Sequence, residues 1–337
     1  MPVNCVPGTP ASEAPTPTSS LDPYIVWQNQ HKQPLFNAGG IWWRGYKDIL
    51  VPAAGKPLPT PIPSSEAKAV LAESHTYLLR YFTRTSGTPT EFWHVLCNDY
   101  NFEKLPGKMR TKIRRAYKDC AIRRIQAAWL VENGYPCYLA AFSRYKGGRP
   151  ESKETFQKRH SDAINGPFEY WGAFIGETLV GFAKCIVGKD YATMVVFKFD
   201  PRYAVSRPAY ALLDTVLQTY VTNAGMPVNN GYRALAHDTN MQDFVLQFGF
   251  RRVYTDLRVI YRPPLHSIIS MLYPFSSVIS RLPTSRPIEY LKTLLKQEQI
   301  QRSCLREIPE AGPRPEILIP EKERPKQGKN PATNFVS

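Results

Sequence analysis

The sequence predicts a mixed α/β fold in which helices flank a mainly antiparallel sheet. Hydrophobic residues make up 43% of the 337 residues, which is enough for a full core in one large domain or two smaller ones. Residues 169–200 contain three consecutive segments with strand propensity, joined by short turns, which predict an antiparallel meander. Helical and strand patterns then alternate as far as residue 261. The expected order is therefore β-β-β-α-β-α-β.

The charge balance narrows the class of partner. The chain carries 43 Lys and Arg against 28 Asp and Glu, a formal net charge of +15. Such a charge favours an anionic partner, either a phosphate-bearing cofactor, a nucleic acid or a membrane surface. The six cysteines form no CxxC pair, which favours buried thiols over disulfides or a zinc site. We therefore expect no metal.

The N-terminal residues carry neither the basic start nor the apolar run of a signal peptide, so we expect a cytoplasmic protein. No uninterrupted apolar stretch approaches the roughly 20 residues that a membrane-spanning helix requires. A peripheral membrane contact stays open as an alternative. Residues 1–22 and 309–337 are rich in proline and predict disordered tails.

The N-terminal subregion, residues 23–100, is expected to support the rest of the fold. It contains a short apolar segment at Ile49–Val51 and a proline-rich loop at Pro52–Pro63. A helical pattern follows over Ser65–Phe82, built on apolar residues that include Leu78 and Leu79.

A basic helix is predicted over residues 105–120, with Met109 and Ile113 on its apolar face. Between positions 104 and 124 there are nine Lys or Arg and a single acid. Arg110, Arg114 and Lys118 fall at i, i+4 and i+8, and we call them the basic stripe. They are candidates for binding an anionic substrate. A solvated helix face is the alternative, because Lys and Arg favour helices on any surface.

The remaining elements follow from period and capping residues. Helices are expected at 125–133, ending before Gly134, and at 152–164, N-capped by Ser152. Pro208 suits the first position of a helix that runs to about 222. The strands are predicted at Glu169–Ile175, Leu179–Val187, Tyr191–Asp200, Tyr232–Ala236 and Arg251–Tyr261, with a short helix from Thr239 to Gly249 between the last two.

This order of elements over 169–262 resembles the core of the GNAT acyltransferase superfamily. The segment from Thr239 to Phe244, which runs on to Gly249-Phe250, is similar to the Asn-led helix that ends in Gly-Phe in that family. Arg110-to-Arg115, Gly134-Tyr135 and Ser143-Arg144-Tyr145 resemble the FemAB-like and CelD-type acetyltransferase branch. The resemblance implies an acyltransferase domain at 101–262, followed by a C-terminal helical extension at 263–308. It also implies a V-shaped splay between strands 191–200 and 232–236, which admits an acyl thioester and forms the main cleft.

Family members bind the pyrophosphate of acyl-CoA at a glycine-rich turn before the central helix. The matching segment here, residues 202–209, has no glycine, and Pro208 removes one amide. The resemblance nevertheless implies the following donor-binding candidates: Arg202, Ser206, Arg207, Ala209 and Asn240. A plain helix entry is the alternative.

The catalytic candidates are less well defined. The tyrosine that many family members place four residues before the glycine of Gly-Phe is Val245 here. The candidates for proton transfer are therefore His237, Asp238, Tyr254 and Glu169. In the alternative interpretation, His237 and Asp238 only precede a helix cap and Tyr254 is an aromatic residue at the core edge.

The segment 265–282 is apolar at near-helical spacing and is interrupted by Pro274. It is expected to dock onto the catalytic body, with a membrane-surface contact as the alternative.

The resemblance implies transfer of an acyl group from acyl-CoA to an amine of a small metabolite, sugar or peptide. Two alternatives stay open. One is a FemAB-like transferase that uses aminoacyl-tRNA, which would use the positive charge for phosphate contacts. The other is a non-catalytic GNAT-like binding module with a basic surface.

Overall fold

A computed structural model describes residues 22–31, 34–46, 48–54, 58, 60–85, 90–144, 149–235, 241–283 and 285–305. The tails expected at 1–22 and 309–337 lie outside these residues, apart from Asp22. The strands are β1 (Leu35–Ala38), β2 (Ile41–Tyr46), β3 (Ile49–Pro52), β4 (Leu78–Arg84), β5 (Trp93–Cys97), β6 (Ala121–Ile125), β7 (Phe168–Ile175), β8 (Thr178–Val187), β9 (Ala192–Phe199), β10 (Val228–Tyr232) and β11 (Arg251–Tyr261).

The helices lie on both faces of the sheet. They are α1 (Pro23–Gln30), α2 (Ser64–Ser74), α3 (Gly107–Asp119), α4 (Ala127–Asn133), α5 (Tyr135–Ala141), α6 (Lys153–Ser161), α7 (Pro208–Leu217), α8 (Met241–Leu246), α9 (Pro263–Leu272), α10 (Ser276–Ile279) and α11 (Arg286–Leu305).

The described strands form one sheet in the order β1-β2-β3-β4-β11-β5-β10-β9-β8-β7-β6. Two neighbouring pairs, β3–β4 and β9–β10, are parallel, and the other pairs are antiparallel. The predicted fold class is confirmed. The long strand β11 joins the two halves, because it pairs with β5 through Arg251–Tyr254 and with β4 through Thr255–Tyr261. β4 and β5, from the N-terminal subregion, thus share this sheet with the strands of 101–262.

The predicted meander is confirmed as β7, β8 and β9, which pair antiparallel in sequence order. The predicted helix over Ser65–Phe82 is wrong in its second half. α2 ends at Ser74, His75 takes a left-handed conformation at its C-cap, and Leu78 and Leu79 begin β4. Both leucines are buried where β4 pairs with β11, a contact between residues just over 180 positions apart that overrides the local helical pattern.

A second error concerns the segment after α3. Ala121–Ile125 forms the edge strand β6, which pairs with β7, so the helix expected from residue 125 begins only at Ala127. The strand was missed because its sequence, with two consecutive arginines and mostly exposed or half-buried residues, lacks the apolar alternation of a buried strand. The expected Gly134-Tyr135 turn is also different, since α5 starts at Tyr135.

The main core lies between the sheet and helices α3, α7 and α8. α7 is the central helix: Pro208 occupies its first turn as predicted, and every residue from Pro208 to Asp214 is buried. The apolar face predicted for α3, including Met109 and Ile113, packs into this core. The five described cysteines are buried free thiols, as expected from their spacing.

The C-terminal helices pack beside β4 and β11. α11 contacts β11, and Ile269 of α9 and Ile279 of α10 are buried. Pro274 interrupts the segment as predicted, at a 3-10 turn over Tyr273–Phe275. No helix of the described residues is long and apolar enough to cross a membrane.

Candidate functional site

The predicted splay is confirmed, with corrected strand bounds. β9 and β10 pair only at Ala192–Val228 and Thr193–Asn229, whereas β9 continues to Phe199. The strand expected at Tyr232–Ala236 is instead β10, Val228–Tyr232; Ala236 lies outside the described residues. Residues 194–199 thus have no strand pairing from β10 on that side. Backbone polar groups on that edge therefore take their hydrogen-bond partners from somewhere other than β10.

A β-bulge lies at the start of this open edge. Lys184 of β8 is opposite Val196, and the next residue, Cys185, is opposite Met194, so Val195 is the extra residue. The Val195 side chain is 45% exposed. Bulges interrupt the ladder, leave one residue unpaired and redirect the strand, and they are common beside active sites. The bulge therefore marks where β9 turns away from β10.

Aromatic packing connects α8 to β9 and to α7. The Phe244 ring of α8 lies 6.4 Å from the Phe197 ring of β9 and 5.2 Å from the Tyr210 ring of α7, between centroids. α8 thereby bridges β9 and the first turn of α7. Val245, at the position where the family resemblance places a tyrosine, is fully buried in the core. Its side chain has no polar group for proton transfer.

The entry to α7 is built by a 3-10 turn, Pro201–Ser206, and by Arg207 at the N-cap. Arg207 has a left-handed conformation, with φ of 54°, and its carbonyl accepts from the Tyr210 amide at 2.9 Å. Its guanidinium donates to the Val205 carbonyl at 3.0 Å in an exposed hydrogen bond. Ala209 is buried in the first turn. Three of the donor-binding candidates therefore lie together: Arg207, Ala209 and, beside them, Ser206.

Arg202, the remaining described candidate at this entry, already has an acidic partner. Its Nη2 lies 2.6 Å from Asp200 Oδ2, and its backbone amide donates to Asp200 Oδ1 at 2.9 Å. Burial raises the pKa of Asp200, but the hydrogen bonds and charge of Arg202 outweigh it, so the pKa is lowered. An anionic ligand would have to compete with this carboxylate for Arg202, whereas the Arg207 guanidinium donates to a neutral carbonyl.

The basic helix α3 lies beside this entry. Cys120, at the C-cap of α3, donates through Sγ to the Ser206 carbonyl at 3.6 Å, and Lys112 Nζ is 3.4 Å from the Tyr210 hydroxyl. Lys112, Arg207 and the N-terminal end of the α7 dipole therefore place positive potential in one region. In the sequence, the basic helix and the α7 entry are separate features.

A buried carboxylate fixes α3 against α7. Asp214 of α7 is fully buried and accepts hydrogen bonds from Tyr100, Tyr117 and Gln218. Burial raises the pKa of Asp214, while the three bonds act in the opposite direction. With its oxygens occupied by donors of the protein, Asp214 holds the helices together and is unsuited to proton transfer with a substrate.

Part of the positive charge of the basic stripe is neutralised by Glu103, which directly precedes the basic segment 104–124. Glu103 lies 2.7 Å from Arg110 Nη1 and 3.9 Å from Arg114 Nη2. Lys118 is exposed on the last turn of α3. The stripe is therefore not a bare row of three cations, since one carboxylate faces two of its members.

The two described catalytic candidates, Glu169 and Tyr254, are not brought together. Glu169 on β7 accepts from the Tyr220 hydroxyl at 2.6 Å and pairs with Arg124 at 2.7 Å. Tyr254 on β11 packs its ring against Trp93. Four strands separate β7 from β11, a spacing of about 24 Å at roughly 4.8 Å per strand. Glu169 and Tyr254 cannot therefore act on the same bond. The candidates His237, Asp238 and Asn240 lie outside the described residues.

The contacts that Trp93 makes could not be predicted from the sequence. Trp93 Nε1 donates to Gln242 Oε1 at 3.2 Å, and Gln242 Nε2 donates to the Tyr232 carbonyl at 3.0 Å. The guanidiniums of Arg233 and Arg252 lie 4.6 and 4.8 Å from the indole centroid. Gln242 thus ties α8 to the end of β10 beside the splay. No sequence signal links residues 149 positions apart.

No protein-family model matches the sequence, and no curated protein matches it. Solved structures with a similar arrangement include FemX, at 9% identity and a TM-score of 0.49 over 73% of this chain and 93% of that chain. The C-terminal domain of a putative lysylphosphatidylglycerol synthetase from Agrobacterium fabrum gives 9% identity and a TM-score of 0.46 over 71% of this chain and 87% of that chain. A GCN5-related N-acetyltransferase from Kribbella flavida gives 11% identity and a TM-score of 0.39 over 71% of this chain and 93% of that chain. At these scores the similarity assigns no function.

Proposed function

We propose that this chain is an acyltransferase that moves an acyl group from acyl-CoA to an amine of a small metabolite, sugar or peptide. The observation that carries the proposal is the open edge of β9, residues 194–199, from which β10 diverges after two paired residues. An extended ligand with amide groups can pair with such an edge as an added strand would. The pantetheine arm of CoA has this chemistry.

The region at the start of α7 supports binding of the phosphate end of such a donor. Arg207 and Lys112 supply positive charge, and the α7 dipole adds to it. With Pro208 at the first helical position, one backbone amide is lost. Side-chain contacts from Arg207, and from Ser206 and Arg202, would replace the missing glycine-rich turn. Of these, Arg207 is the strongest candidate because Asp200 already neutralises Arg202.

The proposed reaction needs few protein groups. The acceptor amine attacks the thioester carbonyl, the C–S bond breaks, the CoA thiolate leaves, and the proton lost by the amine finally reaches solvent or that thiolate. The bulge at Val195 would place backbone groups beside the thioester, where a donor stabilises the oxyanion. For proton transfer we retain His237 and Asp238, which by sequence stand between β10 and α8.

One observation favours a second donor. Arg114, Arg115 and Lys118 are exposed on α3, whose C-terminal end adjoins the α7 entry. A tRNA-borne aminoacyl donor would use such cations for phosphate contacts. The case for a tRNA-borne donor is weaker because Glu103 already pairs with Arg110 and Arg114.

The experiment is native mass spectrometry of the full chain with a panel of acyl-CoAs, followed by a turnover assay against amine acceptors. We expect a one-to-one acyl-CoA complex and release of free CoA. The Arg207→Ala variant should bind acyl-CoA more weakly, and the Arg251→Ala variant, which removes an exposed arginine of β11 that contacts Asn98, should bind like the wild type. Binding of tRNA with no acyl-CoA complex would favour the second donor, and binding of neither would leave a non-catalytic module.

A further inference from the structure

An apolar stripe on the C-terminal helices has no use in the proposed reaction. Its side chains are 42% to 66% exposed. They recur at intervals of three and four residues along α9, the 3-10 turn at Tyr273–Phe275, α10 and the turn that follows it. We call the following five the outer stripe: Ile268, Met271, Phe275, Val278 and Leu282. Other residues of the same segment, Ile269 and Ile279, are buried and pack the segment against the rest of the fold. The outer stripe therefore stays exposed although the segment is docked.

The charge around the outer stripe points to one kind of partner. The sequence has no Asp or Glu between Asp256 and Glu289, and the residues from 263 to 280 carry no Lys or Arg either. At the C-terminal end of the stripe, Arg281 is exposed and Lys292 of α11 donates to the Leu282 carbonyl at 2.8 Å. An uncharged apolar face with cations at its margin is complementary to an anionic lipid surface, where apolar side chains enter the interface and cations meet headgroups.

A second copy of the chain fits this face less well. The five side chains are 42% to 66% exposed, so at roughly 200 Å² for a large apolar side chain they offer on the order of 500 Å² of accessible surface. A stable protein interface buries about 800 Å² on each partner. Binding to a lipid surface requires no minimum contact area of this kind, because the affinity increases with each apolar side chain that is buried and with each cation that contacts the headgroups.

We infer that the outer stripe of α9 and α10 is a peripheral attachment site for an anionic phospholipid surface. The Met271, Phe275 and Val278 side chains would enter the interface, and Arg281 and Lys292 would meet the headgroups. This inference does not depend on the acyl-transfer proposal, because it concerns binding alone.

The test is sedimentation of the full chain with vesicles of phosphatidylcholine, or of equimolar phosphatidylcholine and phosphatidylglycerol. We expect binding to the anionic vesicles that weakens with salt. Met271→Ser, Phe275→Ser and Val278→Ser together should lower the partition coefficient by about tenfold or more. The matched control replaces three exposed apolar residues elsewhere, Leu139, Ile164 and Leu305, with serine and should bind like the wild type.

A second measurement identifies the occupant directly. A polarity-sensitive fluorophore is attached at Met271→Cys in a Cys5→Ser background, because the five described cysteines are buried. The inference requires a water-exposed signal that becomes apolar only when anionic vesicles are added. An apolar signal without vesicles would mean that a second copy or another part of the chain covers the face, and would overturn the inference. Equal vesicle binding by the triple serine variant and the wild type would also overturn it.

Discussion

Two buried histidines predict a steep loss of stability in mild acid. His94 on β5 is 4% exposed and His160 on α6 is 3% exposed. Burial lowers the pKa of His94 to about 4. Burial, reinforced by the charges of Lys184 and Arg159, lowers the pKa of His160 to about 3. Both groups therefore take up a proton in the unfolded chain at a higher pH than in the folded chain.

The sign and size of the effect follow from that difference. Because the folded pKa values are depressed, the stabilisation is fully present above pH 6.5, the ordinary histidine pKa, and is lost as pH falls towards 4 for His94 and 3 for His160. Between pH 7 and 5 the stabilisation from each buried histidine should fall by about 2 kcal/mol, because one pKa unit corresponds to 1.36 kcal/mol. Together they should remove about 4 kcal/mol, a large part of the roughly 5–15 kcal/mol that a typical domain has.

The assay is urea unfolding at pH 7, 6 and 5 for the wild type and His94→Leu. His94 Nδ1 is buried with no hydrogen-bond partner among the described residues, so the leucine should raise stability at pH 7 by about 1 kcal/mol. It should also remove about half of the pH dependence below 6.5. His266→Gln, which removes an exposed histidine, is the control. An unchanged slope in His94→Leu would refute the reasoning.

Three other predictions concern packing and anion binding. A Cβ at Gly134 would lie 2.7 Å from the Leu130 carbonyl oxygen, so Gly134→Ala should lower the free energy of unfolding by about 1–3 kcal/mol, measured by thermal unfolding. The control is Gly107→Ala, which should not destabilise α3 because a Cβ there has no atom within 4 Å. Arg202→Ala with Arg207→Ala should weaken acyl-CoA binding by about 1–3 kcal/mol in calorimetry; if affinity is unchanged, the α7 entry is only structural. Replacing the three residues of the basic stripe with glutamine should lower the slope of log affinity for tRNA against log salt concentration by about 0.7–0.9 for each lost phosphate contact. An unaltered slope, with the free energy of unfolding within about 0.5 kcal/mol of the wild type, would show that the stripe is only a solvated helix face.

Local patterns predicted those parts of the fold whose partners are close in sequence. The β7–β8–β9 meander was predictable because short turns join strands with clear propensity, and Pro208 located the start of α7. β10 was displaced by four residues because Asn229, Asn230 and Gly231 have low strand propensity. They form a strand only because β5 and β9 lie on either side.

The site was predictable to the same extent. The α7 entry and the splay could be located from the order of elements. The sequence could not show that Asp200 holds Arg202, that Tyr220 and Arg124 hold Glu169, or that Trp93 binds Gln242, because these depend on tertiary contacts. The π-helical turn at Gln218–Asn223, which carries Tyr220 to Glu169, likewise has no sequence signature.

Hydrogen exchange along β9 tests the central claim most directly. Backbone amides of residues 194–199 are measured in the full chain with and without saturating acetyl-CoA, with the amides of β2 as an internal reference. If the donor occupies the splay, amides along the open edge should exchange at least about tenfold more slowly in the complex, while β2 is unchanged. Tight binding of acetyl-CoA with unchanged exchange at 194–199 would place the donor elsewhere and contradict the account.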